Sequence, residues 1–190
     1  MPVAWILLTL VAIMALAAAS RLIRMWMKYR GDRVITCPAN MRPAGVRVDA
    51  RHAAVTSFLK GPDLRLCACT RWPEMAGCGQ DCLKQIEAAP MGCLVRNILT
   101  EWYDAEVCSS CGRFFGPINW AGPKPAVRMD DGRELEWEQI PADQLHDVLA
   151  TGSPICFGCH MASRLMREHP ELAVERGRPA IYTERSDIRR

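Results

Sequence analysis

The chain has 190 residues, of which 49% are hydrophobic and 7% aromatic, with 24 Lys and Arg residues against 21 Asp and Glu. These fractions exclude a disordered or collagen-like protein and leave room for one or two small domains. The positive charge is concentrated in residues 21–33, so the rest of the chain has no basic surplus to neutralise a phosphate backbone. We therefore expect no nucleic-acid partner.

Residues 3–20 contain no charged side chain and form the first predicted element. As a helix they span roughly 27 Å, close to the ~30 Å hydrocarbon thickness of a bilayer. The main alternative, a cleaved signal peptide, would carry charge before the apolar run, whereas here the basic residues follow it. The positive-inside rule then predicts a single-pass protein of the inner (cytoplasmic) membrane, embedded through residues 3–27, with its N-terminus outside and its C-terminal domain cytoplasmic.

Short strands and helices are predicted beyond this anchor. Alternating apolar and polar residues predict strands over 46–51 and 63–68, and apolar residues at helical spacing predict helices over 79–89 and 93–103. Such short elements bury little apolar surface, and small domains of this kind usually depend on metals or disulfides.

The C-terminal half continues the mixed pattern. A Gly- and Pro-rich loop over 116–125 precedes a hairpin over 126–137 that turns at Asp131-Gly132. Glu134, Glu136 and Glu138 alternate along its second strand and are predicted to form its solvent-facing side. Helices over 141–154 and 161–172 follow. The sequence therefore predicts a small α+β fold, metal-stapled and zinc-ribbon-like, in four segments: the anchor with its basic flank (1–33), a Cys-rich α+β segment (34–104), the zinc-ribbon-like domain with its inserted hairpin (105–172) and a charged tail (173–190).

Ten cysteines are the strongest chemical signal in the chain. In a reducing cytoplasm they are more typical of metal ligands than of disulfides. Two pairs have the CxxC spacing, and each pair can offer two thiolates from one tight turn to a tetrahedral zinc ion. The first predicted metal site therefore consists of Cys108, Cys111, Cys156 and Cys159.

These four cysteines, Gly112 and the predicted hairpin resemble a zinc ribbon over about residues 105–165. The resemblance implies two knuckles joined by a β-hairpin around structural zinc. Forty-four residues separate Cys111 from Cys156, against about 15–20 in the simple pattern. The loop, hairpin and short helix are therefore interpreted as an insertion between the knuckles.

Haem is the main competitor at the second pair. Cys156-Phe-Gly-Cys159-His160 resembles the attachment motif of c-type cytochromes, in which both thiols bond the haem and the His ligates iron. The resemblance implies attachment outside the cytoplasm, no methionine follows Met166, and haem leaves Cys108 and Cys111 unexplained. We therefore prefer zinc, with haem and a redox-active dithiol as alternatives.

A second metal site is predicted from the N-terminal cysteines. Cys69, Cys78 and Cys82 lie within 14 residues, with the last two one helical turn apart. Cys37 is the preferred fourth ligand and Cys67 the alternative. Zinc and an iron–sulfur cluster both accept four thiolates, so the spacing does not separate them. The remaining thiol, Cys93, is predicted to be a buried free cysteine on the apolar side of a helix.

The string VITCPANMRPAGVRVDARHAA is similar to uncharacterised bacterial membrane-anchored proteins, a resemblance that implies no activity. The sequence contains no phosphate-binding loop, dinucleotide fingerprint, nucleophile elbow or H-E-x-x-H motif. We therefore expect no enzyme and no small-molecule substrate. The pattern favours an accessory or assembly protein that binds another protein, as a subunit of a membrane complex does. The alternatives are an iron–sulfur electron-transfer protein and a membrane-anchored c-type cytochrome.

Overall fold

The computed structural model describes residues 2–58, 61–104 and 106–172, so the charged tail predicted at 173–190 lies outside the described residues. The predicted class is confirmed: the fold is a small α+β arrangement with an N-terminal apolar helix and a four-cysteine cluster. Two three-stranded antiparallel sheets form its centre, and short helices pack around them.

Helix α1 (Pro2–Tyr29) is long and apolar enough to cross a membrane, judged by its length and composition. The side chains of residues 3–17 are all exposed. Beyond them α1 packs along helix α2 (Ala50–Thr56). Its covered residues recur every three or four positions and therefore lie on one face: Ala18, Leu22, Met25 and Tyr29.

The first sheet contains β1 (Asp32–Thr36), β2 (Pro43–Val48) and β3 (Leu66–Cys69), in that order. The strands predicted over 46–51 and 63–68 correspond to β2 and β3, whereas β1 was not predicted. Helix α2 was not predicted either.

The strand predicted over 46–51 ends at Val48, because helix α2 begins at Ala50. The carboxylate of Asp49 accepts a hydrogen bond from the His52 backbone N–H at 3.0 Å, which caps the helix N-terminus. Helices α3 (Leu83–Ala88) and α4 (Val95–Tyr103) follow, within the ranges that the apolar spacing predicts.

The second sheet has the order β5-β4-β6, formed by Glu134–Glu136, Ala126–Arg128 and Ser153–Ile155. Strands β4 and β5 form the predicted hairpin, and Gly132 has a φ of +81° in its turn. Helix α5 (Leu145–Thr151) leads into β6, and helix α6 (Phe157–Glu168) leaves it.

Three clusters of buried residues lie beneath these elements. The first packs the N-terminal sheet against α2, α3 and the end of α1. The second joins Val34 of β1 to residues of α4, β4 and α5, so it contains residues from both sides of position 105. The third is small, formed by Cys108, Ala126 and Ile155 with Phe115 and Cys156 against them. It places the C-terminal cysteines on the edge of the packed core.

Arg33 closes the junction between α1 and the first sheet. Its side chain is completely buried, although the sequence places it among the basic residues of the membrane flank. One terminal nitrogen donates to the carbonyls of Tyr29 at 2.7 Å and Gly31 at 3.0 Å, and the other donates to that of Lys28 at 2.7 Å. Arg33 thus satisfies the carbonyl groups that the end of a helix leaves without partners.

Candidate metal centre

The four C-terminal cysteines lie on two segments of the chain, called here the two arms of the candidate metal centre. The first arm is the turn from Cys108 to Arg113. An antiparallel bridge between Val107 and Phe114 closes it. Inside the turn, the Cys108 N–H donates to the Arg113 carbonyl at 2.9 Å, and the Gly112 N–H donates to the Cys108 carbonyl at 2.8 Å. Gly112 has a φ of +67°, a conformation that side chains disfavour. The CxxCG sequence therefore folds into a tight turn that presents both thiols on one side.

The second arm is the junction between β6 and α6. Cys156 occupies the N-cap position of α6, and Cys159 lies in the first turn of that helix. The Ser109 N–H donates to the Pro154 carbonyl at 2.8 Å, and the Cys156 N–H donates to the sulfur of Cys108 at 3.3 Å. These bonds fix the two arms against each other, and the positive end of the helix dipole favours thiolates at its N-terminus.

Both arms meet at a compact group of sulfurs. The Sγ atoms of Cys108, Cys111, Cys156 and Cys159 all lie within 4.8 Å of one another, and those of Cys111 and Cys156 are 3.9 Å apart. A tetrahedron with Zn–S bonds of about 2.3 Å has sulfurs about 3.8 Å apart. The four cysteines are therefore close enough together to hold a metal ion.

The backbone lowers the pKa of one thiol in this group. Burial by itself raises the pKa of Cys108, but N–H groups of Cys156, Cys111 and Ser110 point at its sulfur and lower the pKa to about 6. In contrast, the hydrogen bond with Cys156, together with burial, raises the pKa of Cys159 to about 12. Deprotonating all four of these closely held thiols without a cation has a high free-energy cost, because like charges repel.

His160 follows the second pair and contacts carboxylates. Its Nδ1 lies 2.8 Å from an oxygen of Glu134 and its Nε2 lies 3.5 Å from an oxygen of Glu136. With both ring nitrogens facing carboxylates, His160 adds no ligand to the sulfur group in this conformation. The side chain is 6% exposed, so it forms part of the packing between α6 and β5.

Sequence patterning missed the role of Glu134. Alternation along β5 predicts a solvent-facing row of Glu134, Glu136 and Glu138, and this is wrong for the first of them, whose side chain is 1% exposed. Its other oxygen accepts a hydrogen bond from Arg128 at 2.8 Å. These bonds outweigh the effect of burial and lower the pKa of Glu134. The covering helix α6, which alternation within a strand does not reveal, is the cause of the difference.

The second predicted set is arranged differently. Cys37, Cys69, Cys78 and Cys82 line one cavity of about 100 Å³. They are not among the groups of the described residues whose ligand atoms all lie within 4.8 Å. Burial raises the pKa of Cys82, and the thiols of the other three raise it further.

Two other cysteines of the N-terminal half lie outside that cavity. Cys67 is exposed, and its thiol donates to the Arg47 carbonyl at 3.4 Å. Cys93 is half-buried with its sulfur 3.9 Å from the Pro90 carbonyl oxygen. Burial raises the pKa of Cys93, and the Arg33 guanidinium opposes this effect.

Comparison with known proteins gives no further assignment. No family model, curated protein or solved structure matches this chain. The residues and their geometry by themselves support two statements. A cluster of cysteines is able to bind a metal, and the small α+β protein that carries it has an N-terminal helix long and apolar enough to span a membrane.

Proposed function

We propose that this chain is a membrane-anchored accessory or assembly protein whose metal-stapled cytoplasmic domain binds another protein. The observation that carries the proposal is the close approach of the four C-terminal sulfurs. Four protein thiolates fill the coordination shell of zinc and leave no open position for a substrate or water. The metal would then stabilise the fold and would not act as a catalyst.

Zinc fits this group better than haem does. Thioether attachment would use Cys156 and Cys159, whose sulfurs here face those of Cys108 and Cys111 within 4.8 Å. An axial ligand would require a free nitrogen on His160, and both of its nitrogens face carboxylates. The four-thiolate arrangement supports a structural ion in preference to a cytochrome.

The basic residues along α1 support an N-outside, C-cytoplasmic orientation. Arg21, Arg24 and Lys28 all follow the apolar run, and the Arg30 guanidinium lies 4.8 Å from the ring centre of Trp26. We expect a reporter that is active only in the cytoplasm to be active when fused after residue 190. An alkaline phosphatase fused at the same position should be inactive. The opposite pair of results would reverse the orientation and expose the thiols to an oxidising compartment.

An apolar stripe beside the metal centre supports a protein partner. Phe157, Met161 and Leu165 recur at four-residue intervals on α6 and are 41%, 38% and 50% exposed. Phe114, at the end of the first cysteine turn, is 73% exposed. Exposed apolar side chains that share one face of a helix, as the three on α6 do, are typical of interaction sites. The metal centre would hold this surface in shape.

Site-specific crosslinking in cells tests the proposed partner surface. A photoreactive phenylalanine analogue at position 165 is expected to give a discrete crosslinked protein in the membrane fraction. The same analogue at Lys84, whose side chain is 79% exposed on α3, is the matched control and should not give that product. A lack of product at position 165, or the same product from both positions, would contradict a partner at the α6 stripe.

A further inference from the structure

The cavity in the N-terminal half is lined by four cysteines that come from separate parts of the fold. Cys37 follows β1, Cys69 ends β3, Cys78 comes after the turns that follow β3, and Cys82 occupies the N-cap position of α3. We propose that these four thiolates hold a second thiophilic metal, as a zinc ion or an iron–sulfur centre. This site is separate from the C-terminal centre and does not depend on it.

The turn after Cys37 repeats the hydrogen-bonding pattern of the first cysteine turn. The Cys37 N–H donates to the Arg42 carbonyl at 2.9 Å, and the Met41 N–H donates to the Cys37 carbonyl at 2.8 Å. The turn that starts at Cys108 is closed by bonds between the same relative positions. The fifth residue has a positive φ in both turns, +56° at Met41 and +67° at Gly112.

Met41 is notable because a side chain disfavours that backbone conformation. A non-glycine residue held there indicates that the surrounding structure determines the turn, and such positions cluster at functional sites. The turn in question carries Cys37 into the wall of the cavity. Two turns of one design, each starting at a cysteine in a group of four, are expected if both bind metal.

Hydrogen-bond donors also surround this cavity. The Arg71 backbone N–H donates to the sulfur of Cys69 at 3.4 Å, as the Cys156 N–H does to Cys108 in the first centre. The Nε of Arg71 and the Nε1 of Trp72 are buried without a hydrogen-bond partner among the described residues, and both residues line the cavity. Thiolates bound to a metal would supply the negative charge that such donors favour.

The structure also distinguishes between Cys37 and Cys67, the two candidates for the fourth ligand of the second site. Cys37 lies in the cavity wall, whereas Cys67 is exposed and its thiol is directed to the Arg47 carbonyl. Residues two apart on a regular strand face the same side, but the β2–β3 pairing is irregular at Cys67: Ala68 pairs with Arg47 and Leu66 with Val48, which leaves Cys67 without a partner in the register. The second site therefore contains Cys37 and excludes Cys67.

Cysteine footprinting of the full chain in detergent tests this site without any substitution. The purified protein is alkylated before and after removal of metal by a chelator, and the modified cysteines are identified by mass spectrometry. We expect Cys37, Cys69, Cys78 and Cys82 to be protected until the chelator is added, while Cys67 reacts in both samples. Equal reaction of the four thiols before and after chelation would overturn the proposal.

Metal counting provides the second measurement. We expect two metal centres per chain in the wild-type protein and one in the paired variant Cys69→Ser/Cys82→Ser, with Cys67→Ser as the control that retains two. Visible charge-transfer absorption that is lost in the paired variant would assign iron, and a colourless protein would assign zinc. A wild-type chain with one centre, retained in the paired variant, would overturn the second site. The C-terminal cysteines are mapped in the same footprint, so failure of either site is seen separately.

Discussion

Replacing Cys108 with serine is expected to remove the metal from the C-terminal centre and to unfold the surrounding domain. Cys108 is 1% exposed and accepts the Cys156 N–H, so its sulfur lies at the meeting point of both arms. A structural zinc contributes about 10–16 kcal/mol in zinc-finger peptides. This contribution is comparable to the whole free energy of unfolding of a typical domain, about 5–15 kcal/mol. The third buried cluster, which contains Cys108 itself, is too small to replace the lost ion.

Elemental analysis and thermal unfolding in detergent measure both effects. The protein should lose one equivalent of metal and its cooperative transition, as followed by circular dichroism. Cys67→Ser is the matched control, because Cys67 is exposed and lies outside both groups. It should change the free energy of unfolding by no more than about 0.5 kcal/mol. Retention of metal and of a cooperative transition in Cys108→Ser would contradict a structural role for the site, and covalently bound haem in the wild-type chain would favour the cytochrome alternative.

Arg33→Met is expected to lower the free energy of unfolding by about 1–3 kcal/mol, because the buried carbonyl of Tyr29 would lose its donor. Methionine has a side chain of similar length but no hydrogen-bond donor, so the carbonyls of Lys28, Tyr29 and Gly31 lose their partner. An acceptor left buried and unpaired costs about 1–3 kcal/mol. Arg33→Lys keeps the charge but cannot donate from two terminal nitrogens, so an intermediate loss is expected.

Denaturant unfolding in detergent measures these losses, with Arg30→Met as the control. Arg30 is exposed, and its guanidinium stacks over the Trp26 ring in a contact worth about 0.5–1 kcal/mol. Limited proteolysis at the junction between α1 and β1 should follow the same order. Equal stability of Arg33→Met and Arg30→Met would show that the capping bonds contribute little.

The C-terminal sulfur group was predictable because its information is local. Two CxxC pairs, with Gly112 after the first, specify two tight turns, and the Asp131-Gly132 hairpin is likewise encoded in a few adjacent residues. The distance between the turns along the chain did not matter, because β6 pairs with β4 and returns Cys156 to the first turn.

Other features could not be predicted because they depend on contacts between distant residues. Arg33 follows a basic segment and was counted with it, although β1 and the end of α1 enclose its side chain. Glu134 has the alternation of a wet strand, but α6 covers it. The sequence analysis prefers Cys37 to Cys67 but keeps both, because neither spacing nor composition records which side of the sheet holds the cavity that Cys37 lines.

In the proposed membrane-spanning arrangement, the packing of α2 against α1 would fix how high the domain stands above the bilayer. Residues 3–17 of α1 are all exposed and precede Ala18, the first covered residue; they rise about 22 Å, less than the ~30 Å hydrocarbon layer. The end of α2 would therefore reach the headgroups, where Phe58, 45% exposed, lies 5.5 Å from the Arg21 guanidinium. Because Arg33 fixes the junction between α1 and the first sheet, α1 would hold the domain rigidly and would not act as a flexible tether. A partner would then have to approach sideways, close to the lipid surface.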